Sequence, residues 1–308
     1  MLDVLVVGAG PAGLNAAMVL GRQRRAVTVV DSGTPRNAPA EEMHMFLSRD
    51  GADPARLREI GRGEISAYPS VTLREDTVTT VTGDIDAFHA ELAGGETLTA
   101  RRVLLATGLT DHFPDIPGLR ERFGRTVRHC PFCHGWESRD QPLAVLGGSL
   151  VAALQARYIA DRFSSDMILV SDGPLEVDGE VRRSLTQHGI VVEERPIDRL
   201  EGDGDLRIVF ADGTTLSRAA LFAFPSTTAQ SDLGQRLGAE VLPDGCVAVD
   251  AFGRTRVAGV SAAGDGARSD QLPGPAASVI AAAGAGATAA MWLEQGLFRA
   301  DLDLPLPS

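Results

Sequence analysis

Residues 3–13 read Asp-Val-Leu-Val-Val-Gly-Ala-Gly-Pro-Ala-Gly, and this stretch decides the fold. A short apolar run, typical of a buried parallel strand, leads directly into a glycine-rich turn. A helical pattern continues from Leu14 to about Arg22, and a second apolar run, Ala26–Val30, ends at Asp31. Strand, glycine turn, helix and strand in this order predict the opening of a doubly wound α/β domain.

The same pattern recurs in the middle of the chain. Leu143–Leu146 predicts a strand, Gly147–Ser149 a turn, Leu150–Phe163 a helix and Met167–Val170 a further strand. We therefore expect the α/β class, with two Rossmann-like, doubly wound, three-layer dinucleotide-binding domains.

The end of the chain indicates how these domains are connected. Val257–Asp265 predicts a strand and turn, and an Ala/Gly-rich helix is expected from about Ala276 to Gln295. We interpret this as a return to the first domain, so that the second is inserted into it. The predicted boundaries are 1–112 and 241–308 for the first domain and 113–240 for the second, with a hinge at Pro114–Gly118.

Composition excludes several classes of protein. The 308 residues carry a formal net charge of −12 and a pI of about 5.0, so neither nucleic acid nor an anionic membrane is an expected partner. No apolar run approaches the ~18 residues of a membrane-spanning helix, and the N-terminus does not resemble a signal peptide. We expect a cytoplasmic protein, in which three cysteines do not form a disulfide scaffold.

The first glycine turn has the composition of a dinucleotide site. Gly8 permits the tight turn, Gly10 lets a pyrophosphate approach the backbone, and Gly13 lets helix and strand pack closely. Asp31 ends the second strand, where a carboxylate can accept ribose hydroxyls. A glycine turn without a ligand is the alternative. The candidate binding residues of the turn are Gly8, Gly10, Pro11, Ala12 and Gly13.

Three later segments favour FAD as the dinucleotide. Ala106-Thr107-Gly108 follows an apolar strand, Gly264-Asp265 places a carboxylate after another, and the helix near Ser278 and Val279 could direct amides at the flavin. No metal ligand is expected. The remaining candidate cofactor contacts are Ser32, Arg36, Asn37, His44 and Val78.

A Cys-x-x-Cys pair, Cys130 and Cys133, is bracketed by His129 and His134. Such a pair in a reducing compartment indicates redox or metal chemistry. A c-type haem attachment, a zinc site and a purely structural pair are the alternatives to a redox disulfide beside a flavin. The two histidines are suited to take and return thiol protons near neutral pH, which makes all four residues candidate catalytic groups.

The order of these motifs resembles that of the low-molecular-weight thioredoxin reductases over nearly the whole chain. The resemblance implies a homodimer, with Cys133 nearer the flavin and Cys130 exchanging with substrate. Two features depart from the family. His134 replaces the acidic residue after the cysteines, and Ser149 replaces the middle glycine of the second turn. Asp172 lies where the family grips a 2′-phosphate with arginines, so we expect NADPH binding to be lost.

The sequence also resembles the dithiol oxidases of gliotoxin, holomycin and romidepsin biosynthesis, in the arrangement of His129, Cys130, Cys133 and His134. Asn37, His44 and residues 46–51 are similar to the same branch. The resemblance implies oxidation of a small-molecule dithiol with O₂ as acceptor and H₂O₂ as product. An NAD(P)H- or ferredoxin-linked reductase of a thioredoxin-like protein is one alternative. A flavin-binding redox sensor is another.

Overall fold

The computed structural model describes residues 1–202 and 204–302, which divide into two compact units. The first unit comprises residues 1–38, residues 52–111 and the chain from Thr227 onward. The second comprises residues 39–51 and 112–226. The predicted α/β class, with a second Rossmann-like unit inserted into the first, is confirmed.

The N-terminal part of the first unit alternates strands and helices before five strands in succession. Its regular elements are β1 (Leu2–Val7), α1 (Pro11–Arg22), β2 (Val27–Asp31), α2 (Pro54–Ile65), β3 (Val71–Glu75), β4 (Val78–Thr82), β5 (Phe88–Leu92), β6 (Thr97–Leu105) and β7 (Leu109–His112).

The second unit repeats the strand–helix alternation on a smaller scale. Its elements are α3 (Leu119–Arg122), β8 (Val127–Arg128), α4 (Pro131–His134), β9 (Leu143–Leu146), α5 (Leu150–Arg162), β10 (Met167–Val170), α6 (Gly179–Gln187), β11 (Val191–Glu193), β12 (Ile197–Glu201), β13 (Leu206–Phe210), β14 (Thr215–Arg218) and β15 (Ala220–Ala223).

The chain returns to the first unit and ends in a long helix. These last elements are β16 (Ser226–Ala229), α7 (Leu233–Arg236), β17 (Val247–Ala248), β18 (Val260–Ala262), β19 (Ala267–Arg268) and α8 (Val279–Asp301). None of the helices in the described ranges is long and apolar enough to cross a bilayer.

The main sheet of the first unit has the order β3-β2-β1-β6-β5-β4, with β18 also pairing with β6. The strands β3, β2, β1, β6 and β18 pair in parallel, whereas β4 and β5 pair in antiparallel fashion. The strands β1, β2 and β18 are mainly apolar because both faces of the sheet are covered. Helices α1 and α8 pack together on one of these faces.

The glycine turn between β1 and α1 is sterically enforced. Gly8 has φ +103°, and a Cβ atom there would lie 2.4 Å from the Ala106 carbonyl oxygen. A Cβ atom on Gly13 would lie 1.9 Å from the Gly8 carbonyl oxygen. These approaches agree with the roles that the sequence assigned to both glycines.

The second unit contains a parallel sheet of order β11-β10-β9-β15-β8 and an antiparallel sheet of order β12-β13-β14. Buried aliphatic residues cover both faces of β9 and β10. The glycine turn Gly147–Ser149 lies between β9 and α5, as β1, turn and α1 are arranged in the first unit.

The unit boundaries differ from the predicted ones at two places. The chain returns to the first unit at Thr227 rather than at Val241, because Leu233 and Ala239 are buried in the same core cluster as Leu5. Residues 39–51, which the sequence placed in the first domain, belong to the second unit. We call this segment loop 39–51.

The packing of α8 on α1 gives a direct test of the fold. A Cβ atom on Gly286 would lie 2.0 Å from the Ala12 carbonyl oxygen, whereas one on Gly284 would have no described atom within 4 Å. We expect Gly286→Ala to lower the free energy of unfolding by about 1–3 kcal/mol through overpacking. Gly284→Ala should raise it by about 0.5–1 kcal/mol through helix propensity. Urea denaturation measures both; equal effects of the two substitutions would contradict this packing.

Candidate functional site

The glycine turn of the first unit presents unused amide groups. Helix α1 begins at Pro11, and no described side chain caps its N-terminus at Gly10. A Cβ atom on Gly10 would meet no described atom within 4 Å, so there is space beside the turn. An uncapped helix N-terminus next to open space is suited to a diphosphate. Of the other predicted contacts in this turn, Ala12 is buried.

Asp31 at the end of β2 is already held by protein groups. One carboxylate oxygen accepts a hydrogen bond from the Ala9 amide at 3.0 Å, and the other forms an ion pair with Arg62. The neighbouring Ser32 hydroxyl lies 3.0 Å from the Thr34 hydroxyl. Asp31 therefore fixes the glycine turn. Sequence reasoning missed Arg62, which α2 supplies.

Arg36 joins two acidic residues that are distant in sequence. Its guanidinium donates to Asp265 at 2.9 Å and to Asp111 at 2.6 and 3.0 Å. Burial opposes the charge of Arg36, but Asp111 and Asp265 outweigh it and raise the pKa of Arg36. Burial raises the pKa of Asp265, and Arg36 only partly offsets this effect. Sequence reasoning proposed Arg36 and Asp265 separately and missed Asp111.

The structure also brings the predicted segments 106–108 and 264–265 together. The Ala263 amide donates to the Leu105 carbonyl at 2.9 Å, and a Cβ atom on Gly266 would lie 2.8 Å from the Gly108 carbonyl oxygen. Ala106, Thr107 and Gly108 thus lie beside the turn that carries Gly264 and Asp265.

The remaining predicted cofactor contacts have varied surroundings. Asn37 accepts a hydrogen bond from Arg58 at 2.7 Å, and the Val78 side chain is buried in the core. The Ser278 hydroxyl accepts from the Ala281 amide at 3.3 Å, so it caps α8, which begins at Val279.

His44 does not lie among these residues. Loop 39–51 places it in the second unit, beside His134, where it also faces Glu137. Its assignment as a cofactor contact stays a prediction. Nothing in residues 39–51 indicates from sequence alone which unit the loop packs against.

The cysteine pair lies at the start of α4 in the second unit. Cys130 and Cys133 form a disulfide, and the Cys133 amide donates to the Cys130 sulfur at 3.1 Å. Both cysteines are half-buried, whereas the intervening Phe132 is 67% exposed. A donor aimed at the Cys130 sulfur would stabilise a thiolate there once the disulfide opens.

His134 ends α4 in an environment that disfavours a proton. Burial, followed by the charges of Arg128, His44 and His129, lowers its pKa to about 4, against a raising effect of the Glu42 backbone. Arg128 is fixed by hydrogen bonds to the His134 carbonyl at 3.1 Å and the Ser138 hydroxyl at 2.8 Å. His134 is thus neutral near pH 7 and able to accept a proton.

His129 lies at the other end of the cysteine pair. Its ring packs 5.6 Å from the Phe123 ring, and its carbonyl accepts a hydrogen bond from Gln155 at 3.2 Å. The third cysteine, Cys246, belongs to the first unit and is fully buried. Burial, followed by the charge of Asp244, raises the pKa of the Cys246 thiol to about 12, which makes it unreactive.

Comparison with known proteins identifies the family. Residues 2–293 match the family described as pyridine nucleotide-disulphide oxidoreductase. The chain belongs to this family.

Similar proteins cover nearly the whole chain. Thioredoxin reductase sirT of Leptosphaeria maculans is 32% identical over 86% of both chains. Thioredoxin reductase aclD of Aspergillus oryzae is 33% identical over 86% of this chain and 88% of its own. The crystal structure of HlmI, 42% identical, covers 98% of this chain and 94% of its own, with a TM-score of 0.90. The protein is therefore a thioredoxin reductase-like disulfide oxidoreductase enzyme, of a family of flavoproteins.

In this family, the second glycine turn is the place to look for binding of a nicotinamide nucleotide. Ser149 caps α5, where its hydroxyl accepts from the Ala152 amide at 3.4 Å. The Gly148 carbonyl accepts from the Glu176 amide at 2.7 Å, and a Cβ atom on Gly148 would lie 3.1 Å from the Pro174 carbonyl oxygen. Residues 174–176 thus lie against the turn, and the amides that a diphosphate would need are partly used.

The Asp172 carboxylate also has a hydrogen-bond partner within the protein. A carboxylate oxygen accepts from the Ile197 amide at 2.7 Å, and Asp172 itself has φ +55°. It holds the end of the β10 loop against the start of β12. Two apolar side chains, Leu150 and Val151, follow Ser149 and are 49% and 58% exposed. This surface offers little to a nicotinamide nucleotide.

The lowered pKa of His134 predicts a pH dependence of stability. The folded value of about 4 lies below the ordinary 6.5, so the unfolded chain binds the proton more readily between these values. The contribution is present above pH 6.5 and is lost as pH falls towards 4. Between pH 7 and pH 5 the free energy of unfolding should fall by about 2 kcal/mol more in the wild-type protein than in His134→Gln.

Urea denaturation at the two pH values measures this difference. His188→Gln is the matched control, since His188 is an exposed histidine of the same unit and should lose as much as the wild type. Equal losses in the wild type and His134→Gln would show that His134 takes a proton as easily folded as unfolded.

Proposed function

We propose that this protein oxidises a small-molecule dithiol to an intramolecular disulfide through Cys130 and Cys133, with O₂ as the final acceptor. The proposal is supported by the hydrogen bonds and packing at the second glycine turn. Ser149 caps its helix, residues 174–176 lie against it, and Asp172 is bonded to Ile197. A reductase that uses NADPH or NADH would bind the nucleotide at this position.

Each obstacle has a separate physical cause. The Ser149 side chain stands where a pyrophosphate must approach the backbone, and its hydroxyl already uses one of the helix amides. Asp172 would repel the 2′-phosphate of NADPH. Each loss is worth about 1–3 kcal/mol, comparable to one charge-assisted hydrogen bond.

FAD is the cofactor that we propose for the first unit. The open space beside Gly10 and the uncapped start of α1 fit its diphosphate, and Asp31 fits its adenosine ribose. Asp265, oriented by Arg36, is suited to a ribityl hydroxyl. Bound FAD would accept two electrons from the reduced cysteine pair and pass them to O₂, giving H₂O₂.

The first thiol exchange uses His134 as the base. Neutral His134 takes the proton of one substrate thiol, and the resulting thiolate attacks the Cys130 sulfur. The Cys130–Cys133 bond breaks, Cys133 leaves as a thiolate, and a mixed disulfide joins the substrate to Cys130.

The second exchange releases the product. The other substrate thiol, deprotonated by His134 or His129, attacks the substrate sulfur that is bonded to Cys130. The Cys130 thiolate leaves, and the Cys133 amide, 3.1 Å from that sulfur in the disulfide, is placed to stabilise it. The overall reaction converts one dithiol and one O₂ to one cyclic disulfide and one H₂O₂.

A disulfide reductase that acts on a thioredoxin-like protein is the second candidate. The names of sirT and aclD favour it, since both are called thioredoxin reductases. It requires an electron source that does not depend on the second glycine turn, such as a ferredoxin. The exposed Phe132 between the cysteines would be accessible to a protein partner as well as to a small dithiol.

Oxygen uptake with dithiothreitol, which closes to a cyclic disulfide, tests the proposal. Cys130→Ser and Cys133→Ser should each abolish turnover with flavin still bound, because exchange needs both sulfurs. Cys246→Ser, the matched control, should retain it, since Cys246 is buried in the first unit. At equal thiol concentration 2-mercaptoethanol should react at least about 100-fold more slowly, because its second exchange is not intramolecular.

One H₂O₂ per cyclic disulfide is the expected stoichiometry. Turnover that survives in either active-site variant, or equal rates with the dithiol and the monothiol, would rule out this mechanism.

A further inference from the structure

His44 occupies a position in the second unit that its predicted role as a cofactor contact does not explain. Its side chain is 10% exposed and lies among three carboxylates. Its Nε2 atom is 3.5 Å from Glu42, and its Nδ1 atom is 3.4 Å from Asp50 and 3.6 Å from Glu137. All four residues belong to the unit that carries the disulfide.

The His44 ring also lies against the candidate base. The ring centroids of His44 and His134 are 5.8 Å apart, and the ring planes meet at 86°. Among the described residues, neither nitrogen of His44 nor the Nδ1 atom of His134 has a hydrogen-bond partner, although all three atoms are buried. Buried polar atoms without partners cost about 1–3 kcal/mol each, so this arrangement does not contribute to stability.

The protein holds loop 39–51 in place at a conformational cost. Met43 is buried, and its carbonyl accepts from the Gly51 amide at 2.9 Å. Asp50 accepts from the Met45 amide at 2.9 Å. Met45 and Ser48 have φ values of +67° and +73°, a left-handed conformation that is unfavourable for residues other than glycine. Such strain persists where surrounding contacts fix the loop, and here the loop delivers His44 to His134.

We propose that His44 is a positioning residue for His134: it holds the imidazole edge-on and, with Glu137, controls how His134 takes up and releases the substrate thiol proton. This inference rests on the function proposed above, in which His134 is the base.

The charged groups around the two rings determine the direction of the effect. Glu42, Asp50 and Glu137 face His44, and Arg128 and His129 act on His134 together with His44. The charge of His44 contributes to lowering the pKa of His134, after burial and Arg128. Removing the His44 ring takes away one of the interactions that lower the pKa of His134 and leaves three carboxylates without their imidazole neighbour, so both changes favour a proton on His134.

Two substitutions separate this role from simple packing. His44→Phe keeps an aromatic ring edge-on to His134 but carries no charge, and His44→Gln keeps polarity without the ring. Histidine-selective NMR of the whole protein would follow the titration of the His134 ring. We expect its midpoint to move upward by at least about one pH unit from a value near 4 in both variants. The kcat for dithiothreitol should fall in His44→Gln, which loses the edge-on ring, and fall less in His44→Phe, which keeps it, with little change in KM in either variant.

His188→Phe is the matched control, because it removes an exposed imidazole from the same unit and should leave the His134 titration unchanged. An unchanged midpoint in the His44 variants would reduce His44 to a packing residue and overturn the proposal. Should His44→Phe not fold, the titration of His44→Gln decides alone. The NMR readout does not depend on turnover, so a shifted midpoint in a protein that oxidises no dithiol would contradict the proposed function and leave the coupling of the two rings established.

Discussion

The burial of His134 next to the Cys130–Cys133 disulfide is the constraint on which the chemistry of the second unit depends. A thiol exchange needs a neutral base, and an exposed histidine would be partly protonated near its ordinary pKa. Burial, with Arg128 fixed nearby, keeps the His134 ring neutral well below pH 7. The same burial leaves the Nδ1 atom of His134 without a hydrogen-bond partner among the described residues, which reduces the stability of the folded state.

The two glycine turns show how one structural pattern can be kept open or closed. At the first turn, Gly10 leaves open space and uncapped amides beside a helix N-terminus. At the second turn, the Ser149 hydroxyl caps the helix, and residues 174–176 lie against Gly148. Both turns join a strand to a helix, and they differ at the residue before the helix, which is Gly10 in the first and Ser149 in the second. Under the proposed function, the second unit keeps the fold without keeping the conditions for binding a nucleotide.

Much of the fold could be predicted from the sequence because it depends on local pattern. Apolar strands followed by glycine turns identify both α/β units, and the close approach at Gly13 follows from its place in the motif. The interactions missed by sequence reasoning join residues far apart in the chain. Arg36 links Asp111 to Asp265, and Arg62 pairs with Asp31, but no sequence spacing indicates these pairs.

The placement of His44 is the clearest case of this limit. The sequence predicts His44 as a cofactor contact and does not indicate its neighbours. Tertiary packing of loop 39–51 puts the ring beside His134. It also brings His44 to within 3.6 Å of Glu137, a contact that local sequence pattern does not encode.

In the proposed reaction, electrons reach the flavin from a dithiol and not from a nicotinamide nucleotide. The most direct test is anaerobic rapid mixing of the oxidised, flavin-loaded protein with dithiothreitol, NADPH or NADH while the visible flavin absorbance is followed. We predict fast bleaching by dithiothreitol and little or none by either nucleotide. Fast bleaching by NADPH would contradict the account and establish a reductase; fast bleaching by NADH alone would show that Ser149 and Asp172 do not close the second glycine turn.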